Sequence, residues 1–250
     1  MGPMPQGGAA TRAAVFPLME RPVIAALLAA IAGALNAWSL AVAGTFATVQ
    51  SGNVVVAGYA LAQGDVPRAG MALAAIACFG LGAFVSAVIV TLLLRRGRAY
   101  SGAVLLVQTA LLLGLAAWAT GDPRAAAMLT LGVNVVAGSQ GNAFHRDHGM
   151  LYGNVAVTFV VQSLFGMLGR VLLPSSREGR AADARSAAIY AGVLVAFAGG
   201  AAVGFFAQSL VSQGALWLAA AVTALLGVVA VRRERRGGFA VDPSHNAPTP

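Results

Sequence analysis

The sequence predicts an all-α, polytopic helical membrane bundle of about six transmembrane helices, at roughly 20 apolar residues per crossing. Three observations predict it. Of the 250 residues, 58% are hydrophobic and only 10% charged, whereas an ordinary soluble domain carries about 25% charged residues to hold its surface in water. The apolar residues fall in long continuous runs, not in the alternation of β-barrel strands. The arginines gather at the ends of those runs, where a membrane protein anchors itself. The length leaves room for short loops but for no separate soluble domain.

Taken in order, residues 1–21 are rich in Gly, Pro and Ala and read as a flexible cytoplasmic N-terminus. They lack the basic stretch, apolar core and cleavage site of a signal peptide. The first apolar run covers 22–44. A polar patch follows at 45–53, TFATVQSGN, then an apolar piece at 54–63 that is too short to cross as a helix. Gly64 and Asp65 end it. A long run covers 69–94 and stops at Arg95, Arg96 and Arg98. The third span is 102–119, closed by Gly121, Asp122 and Pro123.

The fourth span is 125–139. Polar residues return over 140–154, including His145, Arg146, Asp147 and His148. The apolar piece 155–173 holds Thr158, Gln162, Ser163 and Arg170. It is long enough to span by itself or to dip in and return. Residues 174–185 read as a hydrophilic loop. The fifth span is 187–208 and the sixth 215–231, stopped by Arg232, Arg233, Arg235 and Arg236. The remainder, 232–250, reads as a cytoplasmic, disordered tail, polar and rich in Pro.

Orientation follows from arginine. Arg12 and Arg21 precede the first span, Arg95, Arg96 and Arg98 follow the second, Arg177, Arg180 and Arg185 precede the fifth, and the last cluster follows the sixth. These belong to the cytoplasmic side. The opposite connections hold Asp65 with Arg68, Asp122 with Arg124, and no charge over 209–214. Six crossings with both termini inside satisfy every loop. The net charge of +8 is thus anchoring charge, and no nucleic-acid partner is read from it. The lone Cys78 sits in an apolar run and reads as a small packed residue.

The halves echo each other. Gly33, Asn36-Ala37-Trp38, Thr45-Phe46 and Val49-Gln50-Ser51 answer to Gly138, Asn142-Ala143-Phe144, Thr158-Phe159 and Val161-Gln162-Ser163. The echo suggests a first membrane repeat over 22–120 and a second over 123–231. Three spans per repeat is an odd number, so consecutive repeats must be inverted in the membrane, as in many secondary transporters. Interrupted backbone at membrane depth must be buried in protein or line a polar cavity. The candidate lining, or substrate path, is Asn36, Gln50, Ser51, Gly52, Asn53, Gln140, Asn142, Thr158, Gln162 and Ser163. Asn36 and Asn142 are equally readable as bonds between helices.

These residues resemble the YoaK family, bacterial inner-membrane proteins defined by a domain of unknown function. The family's first half carries Gly-x-x-Asp-Ala, a Phe and Met-Thr-Gly-Asn. Here Gly33-Ala34-Leu35-Asn36-Ala37, Phe46 and Gln50-Ser51-Gly52-Asn53 stand in those places. The family's second half carries Gly-x-Gln-Asn-Ala and Thr-Tyr-Met-Thr-Gly-Thr-Leu. The counterparts are Gly138-Ser139-Gln140-Gly141-Asn142-Ala143 and Thr158-Phe159-Val160-Val161-Gln162-Ser163-Leu164. Asn36 replaces the family's acid, Gln50-Ser51 replaces Met-Thr, and the second motif lacks its Gly, which marks a divergent member. The resemblance spans about 22–231 and implies a fold and a multi-pass inner-membrane location, without a reaction.

No Ser-His-Asp set, carboxylate pair or phosphate-cradling Gly loop is present, so no enzyme, catalytic residue or cofactor is read. His145, Asp147 and His148 read as a solvated loop and not as a metal site, which needs three or four ligands in fixed geometry. Gly200 and Gly204 have the Gly-x-x-x-Gly spacing and read as close packing within one chain, leaving room for a homo-oligomer. Two functions remain: a permease for a small neutral, zwitterionic or anionic solute, or a non-transport assembly partner or sensor with a structural polar core. The lack of ionisable residues inside the spans favours the second, because charge-coupled carriers keep them there.

Overall fold

The computed structural model describes residues 21–118, 123–144, 146–147, 150–151, 157–173 and 176–237. Among the described residues eight helices make up the body: α1 (Pro22–Ala43), α2 (Gln50–Ala62), α3 (Val66–Arg95), α4 (Ser101–Ala117), α5 (Pro123–Ala143), α6 (Val157–Val171), α7 (Arg177–Leu210) and α8 (Gly214–Gly237). Between α5 and α6, β1 (Arg146–Asp147) pairs antiparallel with β2 (Met150–Leu151). Among the described residues four helices, α1, α3, α7 and α8, are long and apolar enough to cross a membrane. The chain therefore has the make-up of a multi-pass membrane protein. The remaining apolar helices are shorter; α4 has 17 residues and α6 has 15.

Local chemistry sets the helix ends. Pro sits in the first turn of α1 and of α3, where its missing N–H is not needed. Asp65 caps α3 by accepting from the Arg68 N–H at 3.1 Å. Ser176 caps α7 in the same way through the Gly179 N–H, also at 3.1 Å. That cap starts α7 at Arg177, so much of the hydrophilic stretch 174–185, expected as a loop, is helix. Polarity and helicity are separate questions. The Glu, Arg and Ala residues there are good helix formers. An Arg170–Asp183 ion pair at 3.1 Å then ties α6 to this polar turn.

Helix directions follow from which residues meet. Along α1 and α7, Ala30 meets Gly200 and Ala34 meets Gly204, so the two run the same way. Along α3 and α5, Gly82 meets Val135, and the Ser86 hydroxyl donates to the Ser139 carbonyl at 3.2 Å, so these also run together. Tyr100 against Ala143 and Leu115 against Gly132 make α4 antiparallel to α5. Gly102 against Val231 and Thr109 against Thr223 make α4 antiparallel to α8. Gln140 on α5 donates to the Leu28 carbonyl near the start of α1, while Asn134 accepts from Gln50 beyond its end. That sets α1 against α5. Hence α1, α4 and α7 point one way and α3, α5 and α8 the other. The starts of α1, α4 and α7 and the ends of α3 and α8, where Arg21, Arg95, Arg96, Arg98, Arg177 and Arg232 lie, share one end of the bundle.

The closest contacts come in matched pairs. A Cβ at Gly33 would lie 2.0 Å from the Phe197 carbonyl oxygen, and one at Gly138 would lie 2.0 Å from that of Phe79. A Cβ at Gly200 would lie 2.1 Å from the Ala30 oxygen, and one at Gly82 would lie 2.0 Å from that of Val135. The same interval separates Gly33 from Gly138 as separates Ala30 from Val135. A second constant interval relates Phe79 to Phe197 and Gly82 to Gly200. α4 and α8 share the sequence Thr-Ala-Leu-Leu, at 109–112 and 223–226, and Thr109 Oγ1 donates to Thr223 Oγ1 at 3.0 Å where they cross. Gly200 and Gly204 both face α1, so their spacing serves packing inside the chain. The apolar core lies among α1, α3, α4, α5 and α8, around Leu28, Trp38, Leu105, Leu129 and Leu216. A smaller cluster joins α1, α6 and α7.

Candidate polar site in the bundle core

α1 stops at Gly44, whose φ of 62° is the left-handed C-cap that glycine adopts without penalty. The chain leaves helical geometry and re-enters it at Gln50. Residues 45–48 are non-helical, and Thr45, Ala47 and Thr48 are buried. Their backbone groups need partners, and side chains supply them in turn. Asn53 Oδ1 accepts from the Phe46 N–H at 2.9 Å, Ser39 Oγ from the Ala47 N–H at 2.9 Å, and Asn36 Oδ1 from the Thr48 N–H at 3.1 Å. Asn53 Nδ2 donates to the Phe46 carbonyl at 2.7 Å, and Gln50 Nε2 to the Ala47 carbonyl at 3.1 Å. Asn53 thus clamps both backbone groups of Phe46 and also donates to Gln50 Oε1 at 2.9 Å. Gln50 Nε2 reaches across to Asn134 Oδ1 on α5 at 3.2 Å. Gly52 is required here, since a Cβ on it would lie 2.7 Å from the Phe46 ring.

The break was expected over 45–53 as a whole. It is confined to Gly44–Val49, and Gln50–Asn53 form the first turn of α2. Polar side chains at a helix start serve the loop before it, so polarity overstated the length of the break. The second break shifts likewise: Gln140 and Asn142 lie in the last turn of α5, which runs to Ala143. Residues 145, 148–149 and 152–156 of the expected polar stretch, with His145 and His148, lie outside the described residues, as do 1–20 of the expected N-terminal segment and 238–250 of the expected tail 232–250, whose first residues, 232–237, instead continue α8.

A second polar layer lies toward the arginine end of the bundle. Gln108 on α4 is fully buried and donates to Ser139 Oγ at 3.2 Å. Asn142 Nδ2 donates to Ser86 Oγ at 3.4 Å, and the buried Gln140 Nε2 donates to the Leu28 carbonyl at 3.0 Å. Among the described residues four buried oxygens in or beside the two layers have no partner: Thr45 Oγ1, Thr48 Oγ1, Gln108 Oε1 and Gln140 Oε1. Among the described residues neither layer contains a carboxylate or an arginine. The groups on offer are amide oxygens, amide N–H groups and hydroxyls, which bind donors and acceptors without a charge preference.

The structure thus gathers Asn36, Gln50 and Asn53 in one network and Gln140 and Asn142 in another. Ser51 is exposed and Gly52 packs on Phe46. Thr158 and Gln162 are exposed on α6, and Ser163 is half-buried; among the described residues no hydrogen bond joins these three to either layer. Asn36 and Asn142 are not equivalents: Asn36 is three residues after Gly33, Asn142 four after Gly138. One residue of slip turns a helical side chain by about 100°, so Asn36 faces its own loop while Asn142 faces α3. The sequence reading missed Ser39, Ser86, Gln108, Asn134 and Ser139. A signal existed for Gln108 and Asn134, single amides inside long apolar runs.

A cavity of about 340 Å³ lies apart from both layers, between α1, α7 and α8, lined by apolar residues and glycine. No curated protein and no solved structure matches the chain. The family model described as a protein of unknown function (DUF1275) matches residues 24–229, nearly the whole helical body just described, and the chain belongs to that family.

Proposed function

We propose that the chain is a YoaK-like protein that crosses the bacterial inner membrane six times, with both termini in the cytoplasm, and acts as a permease for a small uncharged or zwitterionic solute. The crossings are α1, α3, α4, α5, α7 and α8, with α2 and α6 as non-crossing helices on opposite sides. The observation that carries this reading is the matched set of glycine contacts in two helix pairs, α1 with α7 and α3 with α5, which run in opposite directions. It supports two inverted halves, the plan on which many secondary transporters alternate access. The bundle end rich in arginine supports the orientation. The polar layers support the solute class, because buried amides and hydroxyls without charges suit a ligand of no net charge. An anion would have only helix N-termini to meet it.

One observation favours the alternative, a non-transport protein with a structural polar core: Asn36, Ser39 and Asn53 hold the backbone of the 45–48 loop closed. Gln108, whose Oε1 has no partner among the described residues, is the better candidate for contact with a solute, and Gln50 is only half-buried although it bonds Ala47, Asn53 and Asn134. Osmotic reswelling of proteoliposomes, followed by light scattering, tests transport across a panel of solute classes. The solutes are short amides, polyols, zwitterionic amino acids and small anions. One class is expected to enter faster than in protein-free vesicles, and Gln50→Ala and Gln108→Leu to slow it while the protein stays folded. If no solute enters faster, the permease reading fails and the structural alternative stands.

A further inference from the structure

The cavity between α1, α7 and α8 has a counterpart position in the other half, and the two differ. By the intervals that relate the halves, Gly199 corresponds to Leu81, Ala34 to Ser139, and, through the shared Thr-Ala-Leu-Leu, Val222 to Gln108. In the α3–α4–α5 position, Gln108 and Ser139 reach across and bond each other. In the α1–α7–α8 position the corresponding residues are smaller or apolar, and a space of about 340 Å³ remains, walled by residues such as Leu27, Ile31, Ala196 and Val203. No polar side chain lines it, so water, which needs two to four polar partners, has no reason to fill it. The walls are three of the four membrane-length helices. The surface around them carries the exposed Val195, Val203, Phe206 and Leu225. In a bilayer such a surface faces hydrocarbon.

We infer that this groove binds an acyl chain of a membrane phospholipid, which takes the place that Gln108 and Ser139 occupy in the other half. The site is separate from the polar layers and does not depend on transport. Gly199 is its gate: the residue is exposed and a Cβ there meets nothing within 4 Å. A Cβ can be added there without a clash, and leucine, the residue at the matching position 81, would extend it at the lining of the groove.

Native mass spectrometry of protein extracted from phospholipid membranes and passed through delipidating detergent provides the test. A phospholipid is expected to stay with the wild-type chain and to be lost from Gly199→Leu. It should remain on Gly80→Leu, which adds the same side chain at an exposed glycine with open space on α3. Ala196→Leu fills the groove from a second position and keeps the test valid if Gly199→Leu misfolds. Three outcomes overturn the inference: no lipid on the wild type, equal retention by the groove variants and Gly80→Leu, or a dimer that the groove variants dissociate. The last would make the groove a contact between copies of the chain.

Discussion

Replacing Asn53 by alanine should destabilise the protein far more than its position in a suspected solute path would suggest. The side chain is fully buried and makes three hydrogen bonds, two of them to the N–H and carbonyl of Phe46. Alanine leaves both backbone groups without those partners, in a loop that has no helical bonds to fall back on. An orphaned buried group costs about 1–3 kcal/mol, which sums to about 2–6 kcal/mol for the pair. Side-chain bonds within membrane bundles average only about 0.6 kcal/mol, because the unfolded chain in lipid also finds partners. The Phe46 groups lie toward the upper figure, since they are main-chain groups held out of helical geometry, so the expectation is about 2–4 kcal/mol. Unfolding by a denaturing detergent titrated into mixed micelles, followed by tryptophan fluorescence, gives the value. Ser51→Ala, an exposed neighbour on the same turn, should stay within about 0.5 kcal/mol of the wild type. If Asn53→Ala also stays within about 0.5 kcal/mol, the clamp is not what holds the loop.

Gly33→Ala and Gly138→Ala each drive a Cβ against a neighbouring backbone carbonyl, at 2.0 Å, and should each cost about 1–3 kcal/mol; tolerance of one but not the other would contradict the matching of the halves. In a Cys78→Ser background, an impermeant thiol reagent applied outside intact cells should label Gln63→Cys and Ser212→Cys but not Arg96→Cys or Arg177→Cys, and the reverse pattern would refute the orientation. The Gly102 N–H at the start of α4 donates to Glu234 Oε1 of α8 at 2.9 Å. Glu234→Ala removes that cap and its favourable charge at the helix N-terminus, for a loss of about 0.5–2 kcal/mol by the same unfolding assay.

Composition and run length determined the helical membrane class, because the demand for apolar residues across a bilayer is a property of local sequence. They also placed most helices within a few residues: 22–44 became Pro22–Ala43, and 102–119 became Ser101–Ala117. The arginine clusters marked the bundle ends for the same reason, since anchoring charge sits next to the run that it anchors. Gly33 and Gly138 stood out in the sequence, and in the structure each lies against a neighbouring helix's backbone carbonyl, of Phe197 and of Phe79. Only the tertiary structure decided that Asn36 and Asn142 face different neighbours, since a slip of one residue along a helix redirects a side chain without disturbing the hydrophobic pattern. It also decided that Asn53 closes a loop, that Gln108 belongs to a polar layer, and that Gly199 borders a cavity. Each of these depends on what a distant helix presents at the same depth, and that information lies between helices and not within any one of them.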